Sequence, residues 1–305
     1  MKLAFSISEL VWQTHLDSAG RPESDERQIE ALKSFLNALY RSHGCEEKAS
    51  GEHIDLWFTS GTHSFFTMLK PLLATLNTQA SLASLDLVVL AHWTHDAVIG
   101  HSVTNAVIHE AQADSAFGIA VSDHGLSSSW LALSLIEDYL SETEAEDGNN
   151  ALLLIADQNV SLHESPFLES ISPHPCAGAV LLKKSPHGLV SDTENNISFR
   201  GYKKLCSSVS GNLFELRIWS KAFFDPAECD LPLVVITNSI LASRFEQCSI
   251  ANDIELQIWD DSLLSVAPWA ALKQHTSPST RYLFLHEENQ ATIIAAFLSG
   301  RVLCI

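Results

Sequence analysis

Ser122, Asp123 and His124 stand side by side at the end of an apolar run, and together they are the three residue types of a hydrolase triad. Neighbours in sequence cannot assemble one, because a triad needs its members converging from separate parts of the chain. The G-x-S-x-G nucleophile elbow is absent as well. Taken singly, Asp123 falls where a helix begins, a place where a carboxylate caps backbone N–H groups. General base and nucleophile are the chemical alternatives for the same side chain. Histidines gather nearby, at positions 92, 95, 101, 109 and 124. His92 and His95 lie three apart at a strand end, but no Cys or acid joins them at zinc-like spacing, so no metal site is expected. The cysteines at 45, 176, 206, 229, 248 and 304 form no CxxC pair and read as free thiols. No glycine-rich phosphate loop is present, and no cofactor is expected.

The elements that must position these residues follow from periodicity. Leu85 to Leu90 is an apolar run of strand length, and a helical stretch carries Val98, Val103, Val107 and Ile108 on one face. Ala116 to Val121 is a second buried strand that stops at Ser122-Asp123-His124-Gly125. Leu126, Trp130, Leu133, Ile136 and Leu140 then recur at spacings of three and four, which predicts a helix. A strand, a sharp turn and a helix present the turn residue to the positive end of a helix dipole. Elsewhere, strands are predicted at Lys2 to Ile7, Ile54 to Thr59, Ala151 to Ala156, Ala177 to Lys183, Asn212 to Trp219, Leu231 to Thr237, Glu255 to Trp259 and Arg281 to Leu285. Helices are predicted at Ser24 to Tyr40, Asn238 to Gln247 and Ala291 to Leu298, with one from Thr62 to Asn77 that Pro71 should interrupt. The alternation argues an α/β layered protein.

The segment Phe117-Gly118-Ile119-Ala120-Val121-Ser122-Asp123-His124-Gly125-Leu126 resembles the F-D-x-x-A-A-C-S-G-F motif of β-ketoacyl-[acyl-carrier-protein] synthase III, in the thiolase-like superfamily. Phe117 and Gly125 keep their places, and Asp123 stands where that family has its acyl-accepting Cys. The resemblance implies a five-layer α-β-α-β-α fold built from two similar halves, 1–185 and a shortened 186–305. It aligns Asn238 with the family's thioester-polarising His, and His275, in Gln274-His275-Thr276-Ser277, with its Asn. It also implies dimerisation through the strand Ala116, Phe117, Gly118, Ile119, Ala120, Val121. That strand is uncharged, and an open edge of this kind invites pairing with another chain.

Charge and composition narrow the function. The 305 residues are 46% hydrophobic and 18% charged, with 18 basic against 37 acidic side chains and a net charge of −19. Nucleic acid and anionic lipid would be repelled. No apolar run approaches the roughly 20 residues of a membrane span, and the opening MKLAFSISELVWQTH lacks a signal-peptide h-region, so a cytoplasmic protein is expected. Claisen condensation needs a thiolate to hold the acyl group and donors for the developing enolate. An Asp in that position cannot replace the thiolate. The first function class is therefore a non-catalytic subunit, similar to the inactive subunit of heterodimeric alkylquinolone synthase or to a chain-length factor. It would pair with an active ketosynthase, as heterodimer or heterotetramer, in fatty-acid, polyketide or secondary-metabolite biosynthesis. Acyl carrier protein or acyl-CoA would reach the pair through the active subunit. The alternative is an active acyltransferase, hydrolase or decarboxylase with altered catalytic residues, drawing on Asp123, His124 or His275.

Overall fold

A computed structural model of the chain describes residues 5–15, 26–42, 44, 63–98, 100–122, 125–142, 150–161, 166–184, 197–206, 213–246, 254–288 and 291–300. The strand expected at Ile54 to Thr59, together with Asp123 and His124, lies outside these residues. In chain order the elements are β1 (Phe5–Thr14), α1 (Glu26–Ser42), α2 (Phe65–Gln79), β2 (Leu85–Ala91), α3 (Val103–Ala111), β3 (Phe117–Val121), α4 (Ser128–Glu142), β4 (Asn150–Asp157), α5 (Pro166–Ile171) and β5 (Cys176–Lys184). They continue with β6 (Ile197–Leu205), α6 (Leu213–Phe223), β7 (Leu233–Thr237), α7 (Ser239–Glu246), β8 (Ile254–Ile258), α8 (Ala267–His275), β9 (Arg281–Glu288) and β10 (Ala291–Ser299).

The strands run β3-β2-β4-β5-β1-β6-β10-β9-β7-β8. Read from each end inward, both halves repeat one order: third, second, fourth, fifth, first. Within each half the second, third and fourth strands are parallel, while the fifth returns antiparallel. The halves join through a short antiparallel contact, Ser6 opposite Ser198 and Ile7 opposite Ile197.

Strand alternation then builds the layers. Leu87, Val89 and Ala91 of β2 face a central core shared with Val234 and Ile236 of β7, and this core also takes Trp130, Leu133 and Ile136 of α4 and Trp269 and Leu272 of α8. Val88 and Leu90 face the other way, into a core with Met68, Leu69 and Leu72 of α2 and Val103 and Val107 of α3. In the second half, Val235, Leu283 and Leu285 face Leu216 of α6 and Leu241 and Phe245 of α7. The result is the five-layer α-β-α-β-α arrangement, with α4 and α8 in the middle. Strands covered on both faces must be apolar at every position, which is why β2 and β4 read as continuous hydrophobic runs. No helix among the described residues is long and apolar enough to cross a membrane.

Three expectations are corrected. Asn212 to Trp219 is not a strand: Leu213–Phe223 is helical, and Leu216 and Ser220, four apart, are buried along it, as is Phe224 just past its end. Ala291 to Leu298 is not a helix but β10, paired with β6 and β9 and buried throughout. A strand buried on both faces shows no period of two, so helix and strand look alike there. Pro71 does not interrupt α2, which runs unbroken from Phe65 to Gln79. The proline costs about 3 kcal/mol in a helix interior, and burial of Phe65, Met68, Leu69, Leu72, Leu73 and Leu76 outweighs it.

Among the described residues, Gln112, Ser172, Leu264 and Ser279 are the non-glycine positions with positive φ. Leu264, in the tight turn before α8, has φ 46° and ψ −129° and is fully buried. Such a conformation costs a non-glycine residue about 1–3 kcal/mol. Leu264→Ala loses the side chain and keeps the strain, at roughly 2–5 kcal/mol. Leu264→Gly also loses the side chain but relieves the backbone. In denaturant unfolding the glycine variant should therefore be the more stable of the two by about 1 kcal/mol.

Candidate functional site

The two halves meet where the strands β4 and β9 end and the helices α4 and α8 begin. The turn Gly125–Ser127 leads into α4, and the turn Asp261–Val266 leads into α8. Across the seam, Trp269 Nε1 of α8 donates to Ser129 Oγ of α4 at 2.8 Å.

Each fourth strand places an acid at this seam. Asp157, the last residue of β4, is fully buried. Its Oδ1 accepts from the N–H of Trp93 and of Thr94, both at 2.8 Å, and from Thr94 Oγ1 at 3.0 Å. Its Oδ2 accepts from the Ser265 N–H of the other half at 3.0 Å. Thr94 Oγ1 in turn accepts from the Gln158 N–H at 2.6 Å. The acid thus ties the loop after β2 to the turn before α8.

Glu288, the last residue of β9, reaches in the opposite sense. Its Oε2 accepts from Ser127 Oγ at 3.0 Å, so a carboxylate of the second half meets the helix start of the first. Gly125 has φ +51°, and a Cβ there would stand 2.6–2.8 Å from the Glu288 carboxyl atoms. The positive φ is what favours glycine here, since the carboxyl group that a Cβ would meet is the far end of a flexible side chain. Burial raises the Glu288 pKa, while the Ser127 hydrogen bond and the Lys204 charge act against the rise. His286, two residues earlier on the same face of β9, is buried against Trp259, and its Nε2 lies 4.0 Å from Glu288 Oε2. Burial alone pushes its pKa down to about 4. His286 Nδ1, Ser128 Oγ and Ser265 Oγ are buried without a hydrogen-bond partner among the described residues.

The residues singled out from sequence fall differently. Ser122 ends the β3 segment, half-buried. Asn238 follows β7, and its Oδ1 accepts from the Leu241 N–H at 2.9 Å, so this side chain caps α7. His275 is the last residue of α8, roughly 13 Å along the helix from its start. The structure therefore does not bring it to the seam; the turn that meets Gly125–Ser127 there is Asp261–Val266, nine residues earlier and more. Asp157, Thr94, Ser265, Ser127, His286 and Glu288 were not among the sequence candidates. A signal existed: polar residues closing the apolar runs ALLLIAD and RYLFLHEE mark the ends of buried strands. No group of His, Cys, Asp and Glu able to hold a metal occurs among the described residues.

The strand Ala116 to Val121 lies at one end of the sheet, where β3 pairs only with β2 among the described residues. Phe117 is 57% exposed there. Gly118 lets α3 pack under this edge, since a Cβ would meet Thr104 Oγ1 at 2.9 Å. Val121 turns inward to the central core.

Neither a family model nor a curated protein sequence matches the chain. Solved structures do. The acyltransferase ChlB3 is similar at 12% identity and a TM-score of 0.58, over 98% of each chain. The priming β-ketosynthase of the R1128 polyketide pathway is similar at 13% identity and 0.57, over 98% of this chain and 97% of that one. The 3-oxoacyl-(acyl carrier protein) synthase III of Pseudomonas aeruginosa PAO1 is similar at 13% and 0.56, over 98% of each. With the repeated strand order, the two central helices and these likenesses over nearly its whole length, the chain has the thiolase-like fold of the ketosynthase III kind.

Proposed function

We propose that this chain is a non-catalytic ketosynthase-like subunit that pairs with an active ketosynthase in cytoplasmic fatty-acid, polyketide or secondary-metabolite biosynthesis. The observation that carries the reading is that no cysteine among the described residues stands in the turn that opens α4. Cys176 is fully buried at the start of β5, where its Sγ donates to the Leu263 carbonyl at 3.0 Å. Burial, and after it the Asp157 charge, raise its pKa well above the usual range. Cys206, exposed, follows β6, and Cys229, half-buried, follows α6; neither belongs to the turn that opens α4. Asp123 stands in sequence where a nucleophile would be, and Asn238 is engaged in capping α7. The open, uncharged β3 edge supports the pairing half of the reading, and a net charge of −19 disfavours two copies of this chain pairing with each other.

Two measurements test it. Incubated with acyl-CoA or acyl carrier protein, the chain alone should show no covalent acyl mass by intact mass spectrometry. A stoichiometric adduct would favour the active acyltransferase or hydrolase alternative. Co-expressed with a ketosynthase encoded beside it, the chain should copurify, and Phe117→Asp should abolish both copurification and condensing activity while leaving the thermal unfolding of the isolated chain nearly unchanged. Condensation at full rate without this chain would sink the subunit reading.

A further inference from the structure

We propose that the start of α4 is a carboxylate-binding site which the chain fills with its own Glu288, reaching across from the other half, so that the turn is blocked toward an external acidic ligand. The inference rests on the reading of the chain as non-catalytic and supplies a second physical cause for it, separate from the missing thiol.

The geometry is that of a bound ligand. A carboxylate lies flush on the Gly125 backbone, with all three carboxyl atoms within 2.8 Å of where a Cβ would be, and takes a hydroxyl hydrogen bond from Ser127. Ser127 belongs to the turn that opens a fifteen-residue helix, whose N-terminal dipole favours a negative group. Two residues close to Ser127 and Glu288 in the chain carry buried polar atoms without partners among the described residues. Ser128 Oγ is fully buried without a partner among the described residues, and so is Nδ1 of His286, whose other nitrogen is 4.0 Å from the carboxylate. Buried donors without partners are costly and mark a place where a polar ligand or water is accommodated. Among the described residues the remaining charged and titratable groups facing Glu288 are Lys204 and Tyr202, both from β6. The Glu288 side chain is still 18% exposed, so a path from solvent reaches the position. A carboxylate already there opposes the arrival of a second one, and it would oppose a thiolate on the same turn.

Truncation and chemical rescue test the site. Glu288→Gly should open a space for a small monocarboxylate, and sodium acetate is the probe. At neutral pH, 100 mM acetate should raise the Tm of Glu288→Gly by about 2 °C over sodium chloride of equal ionic strength. Wild type and Glu288→Gln, whose side chains still fill the position, should show no such difference. Glu288→Ala is the fallback if the glycine variant does not fold. An equal acetate response in wild type, or none in either truncated variant, overturns the proposal. Neither result touches the acyl-loading or copurification tests, so this inference and the functional reading fail separately.

Discussion

Asp157→Ala should destabilise the protein by about 4 kcal/mol, on the order of what several buried donors left without their acceptor cost together. The carboxylate is fully buried and accepts three backbone N–H bonds and one hydroxyl bond, from Trp93, Thr94 and Ser265. Alanine leaves those donors in a dry seam, each at a desolvation cost of about 1–3 kcal/mol, partly relieved by entering water. Asp157→Asn separates the terms. Its amide oxygen can keep the three bonds on the Trp93–Thr94 side, while its NH2 faces the Ser265 N–H, donor against donor. The asparagine variant should therefore lose less than alanine and lose it at the contact between halves. Urea unfolding of both variants checks this. A loss below about 1 kcal/mol for alanine would mean that the seam does not depend on the acid.

Acid should weaken the fold through His286. Its pKa is lowered from the ordinary 6.5 to about 4 by complete burial. A group with a depressed folded pKa binds its proton more readily when unfolded, and for a histidine this means the fold prefers the neutral ring. The stabilisation is complete above pH 6.5 and is lost as pH falls toward 4, by up to about 3 kcal/mol at 1.36 kcal/mol per pKa unit. Glu288, Asp96 and Asp261 have raised pKa values, burial being the largest cause for each. Raised carboxyls act in the opposite sense, costing stability as pH rises through them, so they offset the acid limb and cannot produce it. His286→Phe keeps a ring against Trp259 and removes the titration. Stability between pH 6.5 and 4 should then fall less steeply than in wild type, the remaining acid sensitivity coming from His15, whose pKa burial and then the His63 charge also lower. If the variant loses stability as steeply as wild type, another group carries the acid limb.

The sequence by itself determined β2, α3, β3 and α4 as elements, because a strand covered on both faces, as β2 is, must be apolar at every position and an amphipathic helix must repeat near 3.6; β3, expected to be buried, is instead exposed or half-buried except at Val121, at the edge of the sheet. It also exposed the uncharged β3 segment and, through the motif around Phe117 and Gly125, the thiolase-like fold. Local pattern failed where two states satisfy it equally. Ala291–Ser299 is apolar throughout, and its strand identity comes from pairing with β6 and β9. Leu213–Phe223 alternates at its start, yet its buried positions are four apart. Pro71 sits inside a helix because buried contacts around it outweigh its local cost. The seam was decided by tertiary structure alone. Asp157 meets Ser265 across 108 residues and Ser127 meets Glu288 across 161, separations at which no periodicity carries information. Motif alignment had chosen His275, at the far end of α8, because short similarity cannot say which end of a helix faces the other half. Which end does so was settled only when two five-stranded halves packed their central helices start to start.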